Sequence, residues 1–289
     1  MSLTVYTLSN LVELKKPIFM IGSFESFHIG HNLLYERAKE LASQSEIERD
    51  IVIVYFSDVE NLPKNHSVMF TDELFRLQAF AGIGIKYAVQ LKYSIIRQMS
   101  PDNFIDTLVK KQNDFDLISG TDFKYGINAH GNIETLKNRF GNRFHPVQIM
   151  RLNNEQKVST GFIKEALFAG DIDLVNILSV FKYGFHALIG KEDNRLKLDF
   201  RANLAKMRPG VYCANIEIAN MYYYCLLTIH SNNERVIEMI DFTWTSDKKH
   251  QSKITINSFL RPFYPNSQEK INPDDVERAK EYFIYLSKK

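Results

Sequence analysis

Apolar and polar positions fall into two rhythms over the first 180 residues. Ile18-Phe19-Met20-Ile21 is a wholly apolar run, and after a stretch rich in glycine, serine and histidine Leu34, Ala38, Leu41 and Ala42 recur at helical spacing. The pattern predicts a buried strand, a turn over residues 22–31 and an amphipathic helix. Residues 51–56 (IVIVYF) read as a second strand from their β-branched and aromatic content. Thr71 is expected to cap a helix carrying Leu74, Leu77 and Ala81, followed by a weaker strand over 87–91. Ser100-Pro101-Asp102 supplies a cap, a proline at the first helical position and an acid behind it, and 116–119 and 147–150 read as further strands. Strands recurring between helices predict an α/β domain with a parallel sheet, in which ligands bind beyond the carboxyl ends of the strands.

The rhythm changes near residue 180. Runs at 185–189, 211–218, 222–229, 236–244 and 254–260 are aromatic and β-branched and are separated by polar turns, which predicts a small antiparallel β-barrel. A closing helix is expected from Asn272 as cap, Pro273, the acids Asp274 and Asp275, and Val276, Ala279 and Phe283 on one face. The expected domains are therefore 1–181 and 182–289.

Composition narrows the function classes. In 289 residues, 45% hydrophobic and 24% charged content suit a globular chain, and a net charge of +2 argues for neither nucleic acid nor an anionic membrane. Cys213 and Cys225 form no disulfide framework and lack zinc-ligand spacing, so a reducing, cytoplasmic setting is expected, without membrane or obligate protein partners.

Three stretches carry candidate chemistry. At the strand-to-helix junction the free N–H groups and the helix dipole favour an anion, above all a phosphate. There Gly22, Ser23, Phe24 and Gly30 shape the turn, and His28 and His31 are placed to reach one set of oxygens. Gly120, Asp122, Phe123, Gly126 and Gly131 follow a predicted strand and suit a loop closing round a flat ring. Ser159 and Thr160 open a second helix with Lys157 and Lys164 nearby, a second anion site.

These motifs resemble a known family. GSFESFHIGH is similar to the G-x-F-D-G-x-H-x-G-H signature of bacterial bifunctional riboflavin kinase/FMN adenylyltransferases, the prokaryotic FAD synthetases. GTDFKYGINAHG resembles their G-x-(D/N)-F-x-F-G loop, VSTGFIKEALFAGDIDLVNILS their I-S-S-T-x-I-R helix, and PGVYCANI their P-x-G-V-Y strand. The resemblance implies a Rossmann-like nucleotidyltransferase domain followed by a riboflavin-kinase-like barrel. It also implies transfer of AMP from ATP to FMN, giving FAD and pyrophosphate, with magnesium offsetting the triphosphate charge. By the same resemblance His28 and His31 contact the triphosphate and the developing charge, and Gly22, Phe24 and Gly30 admit the nucleotide. Ser159, Thr160 and Lys164 hold the β- and γ-phosphates, and Asp122 and Phe123 line the flavin or adenine side.

Departures concentrate in the second domain. Glu25 and Ser26 replace the signature's Asp and Gly, and Lys164 replaces an arginine. Where related kinases carry G-F-P-T-A-N, this chain has Leu198-Asp199-Phe200-Arg201-Ala202-Asn203-Leu204, with Arg201 at the threonine, polar, charged residues over 191–197 and Glu238 as the nearest candidate base. An FAD synthetase with a degenerate kinase domain is the leading reading. A fully bifunctional enzyme acting also on riboflavin, another nucleotidyltransferase with the same histidine signature, and a non-catalytic flavin- or nucleotide-binding protein stay open.

Overall fold

The computed structural model describes residues 2–153, 155–240, 242–266 and 268–288. The chain divides into two compact units, residues 1–69 with 76–160, and residues 70–75 with 161–289.

The first unit is built on a six-stranded parallel sheet. Its strands are β1 (Thr4–Thr7), β2 (Ile18–Ile21), β3 (Ile51–Phe56), β4 (Tyr87–Leu91), β5 (Asp116–Gly120) and β6 (Phe144–Val147), in the order β1-β4-β3-β2-β5-β6. β2 bonds to β3 on one side and β5 on the other, so the chain reverses its direction of growth there. All four β2 residues are buried, as an apolar run in a central parallel strand must be. Phe19 and Ile21 face a cluster made with Phe104, Ile105 and Leu108 of α3 (Pro101–Val109) and Leu136 and Phe140 of α4 (Ile133–Phe140). Ile18 and Met20 point to the other face by strand alternation. The helix α1 (Ile29–Ser43) buries Leu34, Tyr35 and Ala38 and touches β2 and β5.

Differences from the sequence reading have local causes. The sheet gains β1, whose short, half-exposed T-V-Y-T run pairs with β4 at the edge and carries little apolar signal. The last strand runs over Phe144–Val147 rather than 147–150, since Phe144 is the buried anchor opposite Leu117. The helix α2 (Glu73–Gly82) is capped by Asp72, whose Oδ1 accepts the Phe75 N–H at 2.9 Å, while the Thr71 hydroxyl donates to the Gly184 carbonyl.

The second unit contains α5 (Thr160–Ala169) from its second residue, α6 (Ile172–Leu178) and a closed antiparallel barrel. Barrel strands are β7 (Gly184–Glu192), β8 (Arg195–Asp199), β9 (Gly210–Ile218), β10 (Met221–Ile229), β11 (Arg235–Met239) and β12 (His250–Pro262), in the order β7-β8-β11-β10-β9-β12. Closure leaves no free edge. The polar, charged stretch 191–197 forms the tip of the β7–β8 hairpin. Asp193 and Asn194 both take left-handed φ there, the conformation a two-residue hairpin turn needs. The run expected over 236–244 stops pairing at Met239, and its Asp241 lies outside the described residues. The closing helix α7 (Pro273–Ser287) starts on an Asn272–Asp275 capping box, as the sequence predicts, and buries Ala279 and Phe283.

Candidate active site

The chain crosses from one side of the sheet to the other at β2, and the carboxyl ends of β2 and β5 there form the crevice in which such sheets bind ligands. Residues 22–28 leave β2 in a turn that depends on Phe24 adopting a left-handed φ of 45°. The fully buried Phe24 ring lies against His31, 4.8 Å between centroids, and a Cβ on Gly22 would sit 3.1 Å from that ring.

His28 is the N-cap of α1, with its Nδ1 accepting the His31 N–H at 3.2 Å. His31 Nδ1 lies 2.7 Å from the Ser26 carbonyl and donates to it. The two rings stack 3.8 Å apart at 14°. Burial, then His31 and the cations Lys157 and Lys64, hold the His28 pKa down to about 2. For His31 burial is again the largest cause, and its pKa falls to about 4, with the Ser26 carbonyl and Asp122 opposing and Lys64 and Lys157 assisting. Both rings are therefore neutral at pH 7.

The second helix start is tied to the first. The Thr160 hydroxyl is 2.7 Å from the Ser26 hydroxyl, both buried, so the serine that replaces the signature glycine links two helix N-termini. Lys157 pairs with Asp122 after β5, and Asp122 Oδ1 leaves only 3.1 Å for a Cβ on Gly120.

These groups line one cavity of about 540 Å³. Gly22, Ser23, His28, Gly30, His31, Gly120, Asp122, Phe123, Ser159 and Thr160, all singled out in the sequence, lie on its wall. Phe24 supports the turn from behind, and Lys164, in the second unit, is not among the residues lining it. The wall also carries Lys64, Phe56 and Gln148, which sequence reasoning missed. Lys64 sits in a single 3-10 turn after β3 and reaches the Ser23 hydroxyl at 3.4 Å. Its only signal was a position following a strand's carboxyl end. A second cavity of about 440 Å³ shares Phe56, Phe123 and Lys124 with the first and adds Tyr93, Phe104 and Tyr125. Phe123 and Tyr125 stack there, 5.3 Å apart at 10°.

In the second unit, Arg201, Asp199, Phe200 and His186 line a separate cavity of about 350 Å³. Asp72 accepts from the His186 ring at 2.9 Å. Asn203 and Glu238 are not among its lining residues, and Glu238 is exposed.

Comparison with known proteins gives concordant results. The family model described as FAD synthetase matches residues 12–161. The bifunctional riboflavin kinase/FMN adenylyltransferase of Bacillus subtilis is 23% identical over 63% of this chain, which spans 59% of that protein's length. The protein of the same name from Listeria monocytogenes is 20% identical over 87% of this chain and 81% of its own. A crystal structure titled macrolide-efflux protein, from Streptococcus pneumoniae, superposes with a TM-score of 0.80 at 16% identity over 98% of this chain and 97% of that one, a likeness of fold alone. Among the described residues no helix is long and apolar enough to cross a membrane. With its family-model match covering more than half of the sequence, this chain belongs to the FAD synthetase family.

Proposed function

We propose that the first unit transfers AMP from ATP to FMN. An oxygen of the FMN phosphate forms a bond to the α-phosphorus, the bond from that phosphorus to the bridging oxygen breaks, and pyrophosphate leaves with the electron pair. No covalent enzyme intermediate is needed, so catalysis rests on alignment and on charge stabilisation at the five-coordinate phosphorus. The observation that carries this reading is the Ser26–Thr160 hydrogen bond, which brings two helix starts and the histidine pair to one cavity.

Three lysines of the wall, Lys64, Lys124 and Lys157, stand against a single carboxylate, Asp122, a balance suited to a triphosphate. His28 and His31 face the oxygens on which charge develops, and Ser159 and Thr160 stand at the N-terminus of α5, with Lys164 further along that helix as a further candidate. The neighbouring aromatic cavity, with Phe56, Phe123 and Tyr125, suits the flavin ring. Among the described residues no cluster of three or more acids, histidines or cysteines could cage a metal. Asp122 is the oxygen this wall offers to magnesium, which when bound to the phosphates offsets their charge.

For the second unit we propose that riboflavin is not phosphorylated at a useful rate, since Arg201, which the sequence resemblance sets against a threonine of related kinases, lines that unit's cavity. Incubating the pure protein with magnesium, ATP and FMN and separating the products tests the main reading. FAD and pyrophosphate are expected. Flavin that stays bound without conversion would favour the binding-protein reading instead.

A further inference from the structure

The two histidines of the cavity are chemically unequal, and the backbone sets the inequality. A carbonyl only accepts, so the 2.7 Å contact with Ser26 places the ring proton of His31 on Nδ1 and leaves Nε2 as a lone pair. His28 is the reverse: Nδ1 accepts the His31 amide at 3.2 Å, so a neutral His28 carries its proton on Nε2. A phosphate oxygen also only accepts. It can take a hydrogen bond from His28 as that ring stands, but against His31 it meets lone pair with lone pair.

We propose that binding of the triphosphate makes this protein take up one proton, onto Nε2 of His31, while His28 keeps the proton it already has. The proposal rests on the nucleotide-site reading above. His28 is then a standing donor, and His31 a donor that the ligand creates. The groups facing His31 account for the change. Burial is the largest cause that disfavours its cation, Lys64 after β3 and Lys157 before α5 add to it, and the Ser26 carbonyl and Asp122 after β5 favour the cation. Glu25 in the same turn is engaged by Asn65 at 2.7 Å. An anion between the two lysines cancels the charges that oppose protonation and adds its own attraction.

Sign and window follow. Binding raises a pKa that stands at about 4 in the free protein, so a proton is taken up at any pH between that value and the bound one. Affinity should weaken about tenfold per pH unit across that window and level off below it.

The test is calorimetric titration with magnesium-ATP, without flavin, at pH 7 in two buffers of different ionisation enthalpy. The apparent heats should differ by an amount equal to roughly one proton taken up. His31→Asn should abolish the difference and His28→Asn, which keeps an N-cap acceptor, should retain it. Nitrogen-resolved NMR of the unsubstituted chain provides a reading independent of variant folding. His31 should be the Nδ1–H form and His28 the Nε2–H form, with only His31 becoming doubly protonated on adding magnesium-ATP. Equal heats in both buffers, or a proton appearing on His28, would overturn the proposal and leave the nucleotide site standing. No binding heat at all would remove the nucleotide-site reading itself.

Discussion

Gly30 shows how little room the histidine pair has. A Cβ there would lie 3.0 Å from His28 Nδ1 and 3.1 Å from its Cε1, although helix propensity at this second residue of α1 favours alanine by roughly 0.5–1 kcal/mol. Gly30→Ala should therefore leave the melting temperature unchanged or slightly raised while turnover falls roughly tenfold or more, because misplacing a charge-stabilising ring by a fraction of an ångström is costly. Unchanged turnover in parallel kinetic and melting measurements would show that the position of His28 does not matter. His31→Ala removes the ring outright, and kcat for FAD formation should drop roughly a hundredfold or more, the scale for one preorganised group, with FMN affinity little changed. Equal loss of both would assign His31 to holding the turn. The same rings govern acid stability. Their pKa values lie at about 2 and about 4, below the free value of 6.5, so below 6.5 the unfolded chain binds more protons than the folded one. Stability should fall on acidification from about pH 6.5 towards 4, by something of the order of 1 kcal/mol per pH unit for each ring. Depressed carboxyls such as Asp72 and Asp116 act later, losing their contribution only as pH falls through and below the usual carboxylate range. A melting-temperature profile of the His28→Asn, His31→Asn double variant should be flatter over that upper window, and an identical profile would refute the assignment.

At the scale of elements, the hydroxyl pair Ser26–Thr160 is what makes two helix starts one site. Ser26→Ala leaves a buried Thr160 hydroxyl without this partner, a change worth roughly 1–3 kcal/mol. Thr160→Val should cost a similar amount, and the double variant less than the sum, with a coupling of about 0.5 kcal/mol or more in a double-mutant cycle. Additive effects would show that the two hydroxyls do not act together. The helix starts themselves were legible because caps advertise them: Ser100-Pro101 and Asn272-Pro273 both appear in the structure with the cap bonds their residue types predict. Central strands were legible for a similar reason, since burial on both faces forces apolar runs such as 18–21 and 51–56. Edge and hairpin strands were not. Thr4–Thr7 and Arg195–Asp199 are held by pairing to a neighbour and by a left-handed Asp193-Asn194 turn, and polar side chains leave no periodic mark of that. Lys64 escaped notice because a cavity wall draws on chain positions far apart, and nothing local distinguishes that lysine from any other exposed one.

Over the whole molecule, the first unit carries the 540 Å³ and 440 Å³ cavities and the second the 350 Å³ cavity, with different chemistry on their walls. Phe185, Ile189, Tyr212, Ile254 and Ile256 of the barrel strands are buried. A kinase must hold magnesium and a triphosphate together, which in the kinases this barrel resembles rests on a small hydroxyl beside an asparagine. We propose that Arg201, which lines the 350 Å³ cavity, takes that place, where it would offer donors only and repel a cation. The stretch before it, 191–197, lies in a regular hairpin, whose ladder-paired backbone N–H groups are not offered to phosphate oxygens. The candidate base Glu238 is exposed on β11 and absent from the residues lining that cavity, as is Asn203. Riboflavin mixed with magnesium-ATP and this protein should therefore remain riboflavin over a period in which FMN is fully converted to FAD. Steady FMN production, followed by chromatography, would mean that another arrangement of the barrel's residues supports phosphoryl transfer and that Arg201 does not exclude it. Arg201→Thr alone should not restore the activity, because the hydroxyl would return while the hairpin backbone before it stays paired and Glu238 stays off the cavity wall.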